Sequence, residues 1–196
     1  ANIEVLTHGQ ALGVFQRGEI FGKDLFGISV AGSHGKTTTT AMIATLLCEN
    51  NLDPSYAIGT GKIPSLRSSG HFGKGKYFIA EADEYFADVL YDKTPKFLYQ
   101  SPKILVVTNV DFDHPDIYES IDEIRKVFLE LANKLPSDGI LISCGDGGEN
   151  RKFLDQFKGR KITYGFSPSN DYLLERVNSN PDKTFFWVKS HETMLG

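Results

Sequence analysis

One stretch of the sequence constrains the fold of this chain most. It is an apolar run that ends in a tight glycine turn and a lysine–threonine pair. Residues 25–31 are mainly apolar, and the sequence continues as Gly32-Ser-His-Gly-Lys-Thr-Thr38. This order predicts a β-strand, a loop and the first turn of a helix. Backbone N–H groups of such a loop, with a helix N-terminus behind them, form a concave site for an anion. The sequence therefore predicts an α/β fold with a phosphate site at the end of its first core strand.

The predicted loop carries the groups that a nucleoside triphosphate with Mg²⁺ requires. Lys36 can place a positive charge on the terminal phosphates, and the Thr37 hydroxyl can reach a phosphate-bound Mg²⁺. The general pattern G-x-x-x-x-G-K-[ST] would place its first glycine at Val30, whereas this chain has the shorter G-x-x-G-K-T. The alternative is an ordinary glycine turn before a helix. We expect nucleotide contacts from seven residues of the loop: Gly32, Ser33, His34, Gly35, Lys36, Thr37 and Thr38.

The composition excludes several classes of partner. The chain has 196 residues and a net charge of −4, with no basic cluster, which argues against a nucleic-acid partner. No apolar run approaches the roughly 20 residues that span a bilayer. The first ten residues lack the features of a secretory signal. Cys48 and Cys144 are far apart in the sequence, which predicts reduced thiols in a cytoplasmic protein.

Strand-like and helix-like segments alternate along the chain. Apolar runs predict strands at residues 25–31, 56–58, 77–80, 104–108, 140–143 and 161–164. Helical spacing predicts helices at 8–15, 38–49, 120–131 and 150–157, and a surface loop is expected at 62–76. The tail predicts a β-hairpin from 172–177 and 185–188. The expected fold is a three-layer α/β/α domain with a mostly parallel sheet and a small C-terminal β-hairpin.

Three polar clusters each follow a predicted strand. They are the glycine loop, the acidic run Glu81-Ala-Asp-Glu84, and the segment that begins at Asn109. Because ligands bind at the carboxyl ends of parallel strands, these clusters should meet at one edge of the sheet. A carboxylate of the acidic run, Glu81 above all, could then complete the Mg²⁺ shell begun by Thr37. The alternative is an acidic first turn of a helix.

The third cluster combines one histidine with three aspartates. His114 can bind a second metal ion or donate a hydrogen bond to a phosphate, whereas an isolated histidine is more often a surface residue. Its position after a strand favours the functional interpretation. The pattern does not indicate roles for Asn109, Asp111, Asp113 and Asp116.

The three clusters together resemble the Mur ligase family, which builds the peptide stem of bacterial cell-wall precursors. The matching residues are AGSHGKTTTT at 31–40, EADEY at 81–85 and TNVDFDHPDIY at 108–118, with weaker support from ITYGF at 162–166. The loop and EADE look most like the branch that starts from UDP-N-acetylmuramate. The resemblance implies an incomplete central ATP-binding domain at 25–196. Residues 1–24 would be a linker or short helix from a missing N-terminal domain, and a C-terminal domain would also be missing.

The resemblance also implies a mechanism and a set of site residues. ATP would phosphorylate the carboxylate of UDP-N-acetylmuramate, and the amine of an amino acid or peptide would then displace phosphate. Lys36 and His114 would be the catalytic residues, with Lys36 on the β- and γ-phosphates. Thr37 and Glu81 would hold one Mg²⁺, and His114 the second. L-Alanine is the favoured amine, while the insertion YDKTPKFLYQSP resembles the ligase that recycles a murein tripeptide.

Other functions remain open on the sequence. Folylpolyglutamate synthases and cyanophycin synthetases share the short loop, although EADE and DHPD fit them less well. A regulatory phosphate-loop NTPase is a different class, and the N-K-x-D motif of guanine specificity is missing from the sequence. We expect that the 196 residues alone have no ligase activity and bind nucleotide weakly at best.

Overall fold

The computed structural model describes residues 5–113 and 115–190, and the backbone of 194–195. The helices are α1 (His8–Gln16), α2 (Lys36–Glu49), α3 (Ile121–Ala132) and α4 (Gly148–Gln156), with short 3₁₀ turns at Glu19–Phe21 and Lys96–Tyr99. The strands are β1 (Phe26–Ala31), β2 (Ser55–Ala57), β3 (Gly70–His71), β4 (Tyr77–Glu81), β5 (Phe86–Asp88), β6 (Asp92–Pro95), β7 (Ile104–Val107), β8 (Ile140–Cys144), β9 (Lys161–Gly165), β10 (Tyr172–Ser179), β11 (Thr184–Ser190) and β12 (Met194–Leu195). No helix in the described ranges is both long and apolar enough to cross a membrane.

Within the described residues, ten strands form one sheet in the order β12-β11-β10-β9-β8-β7-β1-β4-β2-β3. Seven of these strands pair in parallel: β1, β2, β4, β7, β8, β9 and β10. Only β3, β11 and β12 pair antiparallel with their neighbours. Strand β1 lies between β4 and β7. Strands β2, β3 and β4 lie on one side of it, and the strands from β7 onward lie on the other side. Such a reversal of strand order opens a crevice at the carboxyl ends of the strands.

Alternate side chains of the central strands enter two separate apolar cores. Ile28 of β1 packs with Ala44 of α2, whereas Ala31 packs in the cluster that contains Phe128 of α3 and Phe153 of α4. Because successive strand residues point to opposite faces, α2 covers one face of the sheet and α3 and α4 cover the other. The predicted three-layer α/β/α fold is confirmed.

The helix starts show which local signals the sequence carried. Helix α2 begins at Lys36, two residues before the prediction, because Gly35 adopts φ 80° as its N-cap. The Ser120 side chain accepts a hydrogen bond from Glu123 N at 3.3 Å, which caps α3. A full capping box, which was not predicted, joins Thr7 and Gln10 at the start of α1.

Three segments differ from the prediction in detail. The expected loop at 62–76 contains the short edge strand β3. The predicted C-terminal hairpin is present as β10 and β11, but β10 also pairs in parallel with β9, so the hairpin extends the main sheet. The insertion after the acidic run forms the two-stranded sheet of β5 and β6.

Candidate nucleotide site

The glycine loop follows β1 directly and has the backbone geometry that only glycine adopts easily. Gly32 has φ 135° and Gly35 has φ 80°. A Cβ on Gly32 would lie 2.0 Å from Thr108 Oγ1, so the loop passes very close to the end of β7. A Cβ on Gly35 would meet no described atom within 4 Å. The loop is therefore packed on its sheet side and open at the N-terminus of α2, where an anion would bind.

Lys36 forms an ion pair with an acid that sequence reasoning did not single out. Its Nζ donates to the Gly32 carbonyl at 2.8 Å and to Glu84 Oε1 at 2.9 Å. The Lys36 side chain is 15% exposed and that of Glu84 only 3%. The Tyr118 hydroxyl donates to the Glu84 carbonyl at 2.7 Å, which fixes the backbone at this position. Burial, with the negative charge of Glu84, raises the pKa of Tyr118, so its hydroxyl stays protonated as a donor.

Thr37 and Glu81, the expected Mg²⁺ ligands, are in contact. Thr37 Oγ1 donates to Glu81 Oε2 at 3.1 Å, and Gly59 N donates to Glu81 Oε1 at 2.8 Å. A hydroxyl and a carboxylate are hard oxygen donors that suit Mg²⁺, which completes its shell with phosphate oxygens and water. In the parts of the chain described, no three His, Cys, Asp or Glu residues cluster to form an all-protein metal site. The Thr37–Glu81 pair therefore fits a metal that is shared with a phosphate.

The segment after β7 holds the glycine loop in place. His34 N donates to Asn109 Oδ1 at 2.8 Å, and Ser33 N donates to the Asn109 carbonyl at 3.2 Å. Thr108 Oγ1 donates to the His34 carbonyl at 2.6 Å, and Ser33 Oγ donates to the Asp111 carbonyl at 2.8 Å. Asn109 thus supports the loop, a specific role that the sequence did not assign.

The remaining predicted residues lie around this loop. His34 and Thr38 are exposed, and His34 Nδ1 lies 3.8 Å from Asp113 Oδ2. Asp116 is exposed. His114 lies outside the described residues, so its predicted contact with a second metal stays a prediction.

A cavity of about 520 Å³ opens beside the loop, between the ends of β7 and β8. Asn109 lines it, together with Asp146 and the first residues of α4. Asn150 also lines the cavity. Its buried amide accepts a hydrogen bond from Val110 N at 2.6 Å and donates one to the Cys144 carbonyl at 3.2 Å. The cavity is thus continuous with the loop through Asn109.

Asp146 fixes the chain on the far side of this cavity. Its carboxylate accepts hydrogen bonds from Phe166 N at 2.6 Å, from Ser167 N at 3.0 Å and from Asn170 Nδ2 at 3.0 Å. Burial alone would raise the pKa of Asp146, but these three hydrogen bonds, with a smaller contribution from Arg151, lower it overall. The side chain is therefore an anion that clamps the β9–β10 connection to the start of α4.

A series of buried hydrogen bonds supports the backbone of Glu81. Gln16 Nε2 of α1 donates to Ser29 Oγ at 3.0 Å, and Ser29 Oγ donates to Gln100 Oε1 at 2.5 Å. Gln100 Nε2 then donates to the Glu81 carbonyl at 2.7 Å. Gln16, Ser29 and Gln100 are all buried, so each of these polar groups depends on the next for its hydrogen bond.

Comparisons with known proteins identify the family of this chain. The family model described as the Mur ligase middle domain matches residues 30–194. The UDP-N-acetylmuramate–L-alanine ligase of Syntrophotalea carbinolica is 39% identical over 199 aligned positions, which cover 100% of this chain and 42% of that relative. The chain thus spans about two fifths of the length of the curated relatives that it matches.

Two solved structures share the fold. The crystal structure of the UDP-N-acetylmuramate:L-alanyl-γ-D-glutamyl-meso-diaminopimelate ligase from Neisseria meningitides has a TM-score of 0.78 and 26% identity, and the match covers 95% of this chain and 57% of that one. The MurF ligase of Thermotoga maritima, solved in complex with ADP, has a TM-score of 0.73 and 16% identity, with 98% of this chain and 44% of that one covered. The second match shows the fold alone.

Proposed function

Because the chain belongs to the family of Mur ligase middle domains, we propose that it binds ATP with Mg²⁺ in a ligase that acts on UDP-N-acetylmuramate. The observation that carries the proposal is the contact of Thr37 with Glu81, beside Lys36 in the glycine loop. L-Alanine is the proposed amine, because the 39% identical relative is an L-alanine ligase. The product would be a peptidoglycan precursor made in the cytoplasm.

We assign the ATP contacts from the position of the loop. Lys36 would bind the terminal phosphates, and the backbone from Gly32 to Thr38 would surround them. The nucleoside would lie in the cavity beside Asn109, because that residue both lines the cavity and holds His34 of the loop. Thr37 and Glu81 would hold Mg²⁺, and His114 a second ion; bound there, these ions would neutralise the charge of the phosphates.

The reaction that we propose is amide formation through an acyl phosphate. A carboxylate oxygen of the acceptor attacks the γ-phosphorus, and the bond to ADP breaks. The amine nitrogen then attacks the carbonyl carbon, loses a proton, and inorganic phosphate leaves. Lys36 would stabilise the negative charge that gathers where the carboxylate and the γ-phosphate meet.

A first experiment tests the nucleotide site on the chain of 196 residues. Calorimetric titration of ATP is run with Mg²⁺ and with EDTA, on the unchanged chain and on Lys36→Ala and Glu81→Gln. We expect weak binding that requires Mg²⁺ and is lost in both variants. Equal binding by a folded Lys36→Ala variant would contradict the assignment of the site.

A second experiment tests the reaction on the full-length protein that contains this chain. It measures ADP release with UDP-N-acetylmuramate and L-alanine, and then with the murein tripeptide as the amine. The tripeptide is the second candidate, because the Neisseria ligase of that class matches this fold with a TM-score of 0.78. ATP hydrolysis without amide formation would favour a regulatory NTPase instead. We propose that the 196 residues alone form no amide.

A further inference from the structure

A second cavity is lined by Glu81 and by residues outside the glycine loop. Its volume is about 280 Å³, and its polar lining includes Glu81, Asp83, Lys96, Gln100 and His8 of α1. One oxygen of the Glu81 carboxylate accepts from Thr37 in the loop. The other accepts from the backbone N–H of Gly59, a residue that lines this cavity. The Glu81 carboxylate therefore contacts both the glycine loop and the lining of the cavity.

This position suits the acceptor of a phosphoryl group. A ligand in the cavity would lie against the Glu81 carboxylate, which contacts the Thr37 hydroxyl of the loop, so its reactive oxygen would be near the bound phosphates. The ligand must also carry a carboxylate, which is an anion, yet Glu81 and Asp83 are acids. Of the lining residues, the cations are Lys96 and, when protonated, His8.

Hydrogen bonds hold the segment that carries Lys96 at this cavity. Three hydrogen bonds attach its 3₁₀ turn to the acidic run and the residues after it: Lys96 N to the Tyr85 carbonyl at 2.7 Å, Phe97 N to the Asp83 carbonyl at 3.0 Å, and Gln100 Nε2 to the Glu81 carbonyl at 2.7 Å. Its ammonium donates to Asp83 Oδ2 at 2.9 Å. The Lys96 side chain remains 27% exposed, so it can reach a ligand.

We propose that Lys96, oriented by Asp83, is a specificity-determining residue that binds the carboxylate of the acceptor in this cavity. The proposal rests on the proposed function and names one more contact for the same reaction. An ammonium has three donors, and one of them is used by Asp83. The other two can hold the acceptor carboxylate beside Glu81, close to the phosphate that it attacks. Asp83 is then a positioning residue that acts through Lys96.

A structural role alone would give a different signature. The ion pair of Lys96 with Asp83 is partly exposed on both sides, and such pairs contribute little to stability. Loss of a purely structural contact would therefore change the affinities for ATP and for the acceptor together, or neither. Loss of a residue that binds the carboxylate would weaken the binding of the acceptor alone.

The test uses the full-length protein that contains this chain, with UDP-N-acetylmuramate as the acceptor probe and ATP with Mg²⁺. Steady-state kinetics give KM for the acceptor, KM for ATP and kcat. The variants are Lys96→Met, Lys96→Arg and Asp83→Asn. Lys93→Met is the matched control, because Lys93 is an exposed lysine on strand β6 of the same insertion.

We expect Lys96→Met to raise KM for the acceptor about 10- to 100-fold, the value of a charged hydrogen bond, while KM for ATP stays within about twofold. Lys96→Arg should restore most of the affinity, Asp83→Asn should raise KM for the acceptor less, and Lys93→Met should behave as the unchanged protein. ATP binding, measured by calorimetry, reports folding of each variant. Lys96→Gln replaces the methionine variant if that one does not fold.

The outcomes separate this proposal from the one on which it rests. An unchanged protein that neither binds ATP with Mg²⁺ nor forms an amide would overturn both. An active protein whose acceptor KM is the same in Lys96→Met and Lys93→Met would overturn the role of Lys96 alone. A parallel rise of both KM values in Lys96→Met would also overturn it, since that result indicates a structural effect.

Discussion

The ammonium of Lys36 lies 2.9 Å from the carboxylate of Glu84, so the lysine of the glycine loop has a buried acid as its partner. Glu84 lies three residues after Glu81 and is anchored by Tyr118 through its backbone carbonyl. A phosphate that binds Lys36 must therefore share the lysine with this acid. The pair couples the loop after β1 to the acidic run after β4.

The first prediction concerns the coupling of this pair. Lys36→Met and Glu84→Gln should each lower the free energy of unfolding by about 2 kcal/mol, because each leaves a buried charge without its counter-charge. In the double variant, the loss of unfolding free energy should be smaller than the sum of the two single losses by at least about 1 kcal/mol. Urea denaturation of the four proteins measures the cycle. Additive losses would show that the two side chains do not interact energetically.

The second prediction concerns Gly32. Its φ of 135° is strained for any residue with a Cβ, and that Cβ would lie 2.0 Å from Thr108 Oγ1. Gly32→Ala should therefore lower the free energy of unfolding by about 3 kcal/mol. It should also weaken ATP binding, because Thr108 positions the His34 carbonyl in the loop. Thermal unfolding and calorimetry measure the two effects.

Gly61→Ala is the matched control for this substitution. A Cβ on Gly61 meets no described atom within 4 Å, and its backbone does not have a positive φ. The control should change stability by less than about 0.5 kcal/mol. Equal effects of the two alanines would contradict the close approach of β7 to the loop.

Much of the architecture could be predicted because its signals are local. The apolar runs of β1, β7 and β8 and the periodic stripe of α3 are each contained in one short stretch of sequence. The alternation of strands and helices then indicated the parallel sheet and brought Thr37 and Glu81 to one edge. The two side chains are in contact, as that argument required.

The parts that could not be predicted depend on contacts between distant segments. Glu84 and Lys36 are 48 positions apart, and nothing in EADE distinguishes the acid that pairs with Lys36 from the one that faces Thr37. The turn geometry after β4 decides that choice. Strands β5 and β6 are short and contain charged residues, so they show no alternation of apolar residues from which they could be predicted. Asn109 likewise supports the loop through its hydrogen bonds with Ser33 and with His34, which lies 75 positions away in the sequence.

The third prediction concerns pH and Asp146. The hydrogen bonds to its carboxylate lower its pKa below the ordinary value of 3.8, so the ionised form stabilises the fold. This contribution is fully present above the unfolded value and is lost as the pH falls through the lower folded value. Asp146→Asn should cost about 2 kcal/mol at pH 7, because an amide cannot accept all three hydrogen bonds.

The difference between the unchanged chain and Asp146→Asn should therefore shrink as the pH falls from about 5 towards 2. Urea denaturation over this range measures it. Asp155→Asn is the control, since Asp155 is an exposed aspartate of the neighbouring helix α4. A difference that stays constant down to the lowest pH would contradict the clamp.

The last prediction concerns the buried amides behind Glu81. Gln100→Leu removes the donor to the Glu81 carbonyl and the acceptor of the Ser29 hydroxyl, and both of those groups then lack a partner in a buried region. The free energy of unfolding should fall by about 3 kcal/mol, because each orphaned polar group costs its desolvation. Gln156→Leu, at an exposed position of α4, should have little effect. Because the Glu81 carbonyl and carboxylate belong to one residue, we also expect Gln100→Leu to weaken Mg²⁺-dependent ATP binding, measured by calorimetry. A variant as stable as Gln156→Leu would mean that the amides do not support the site.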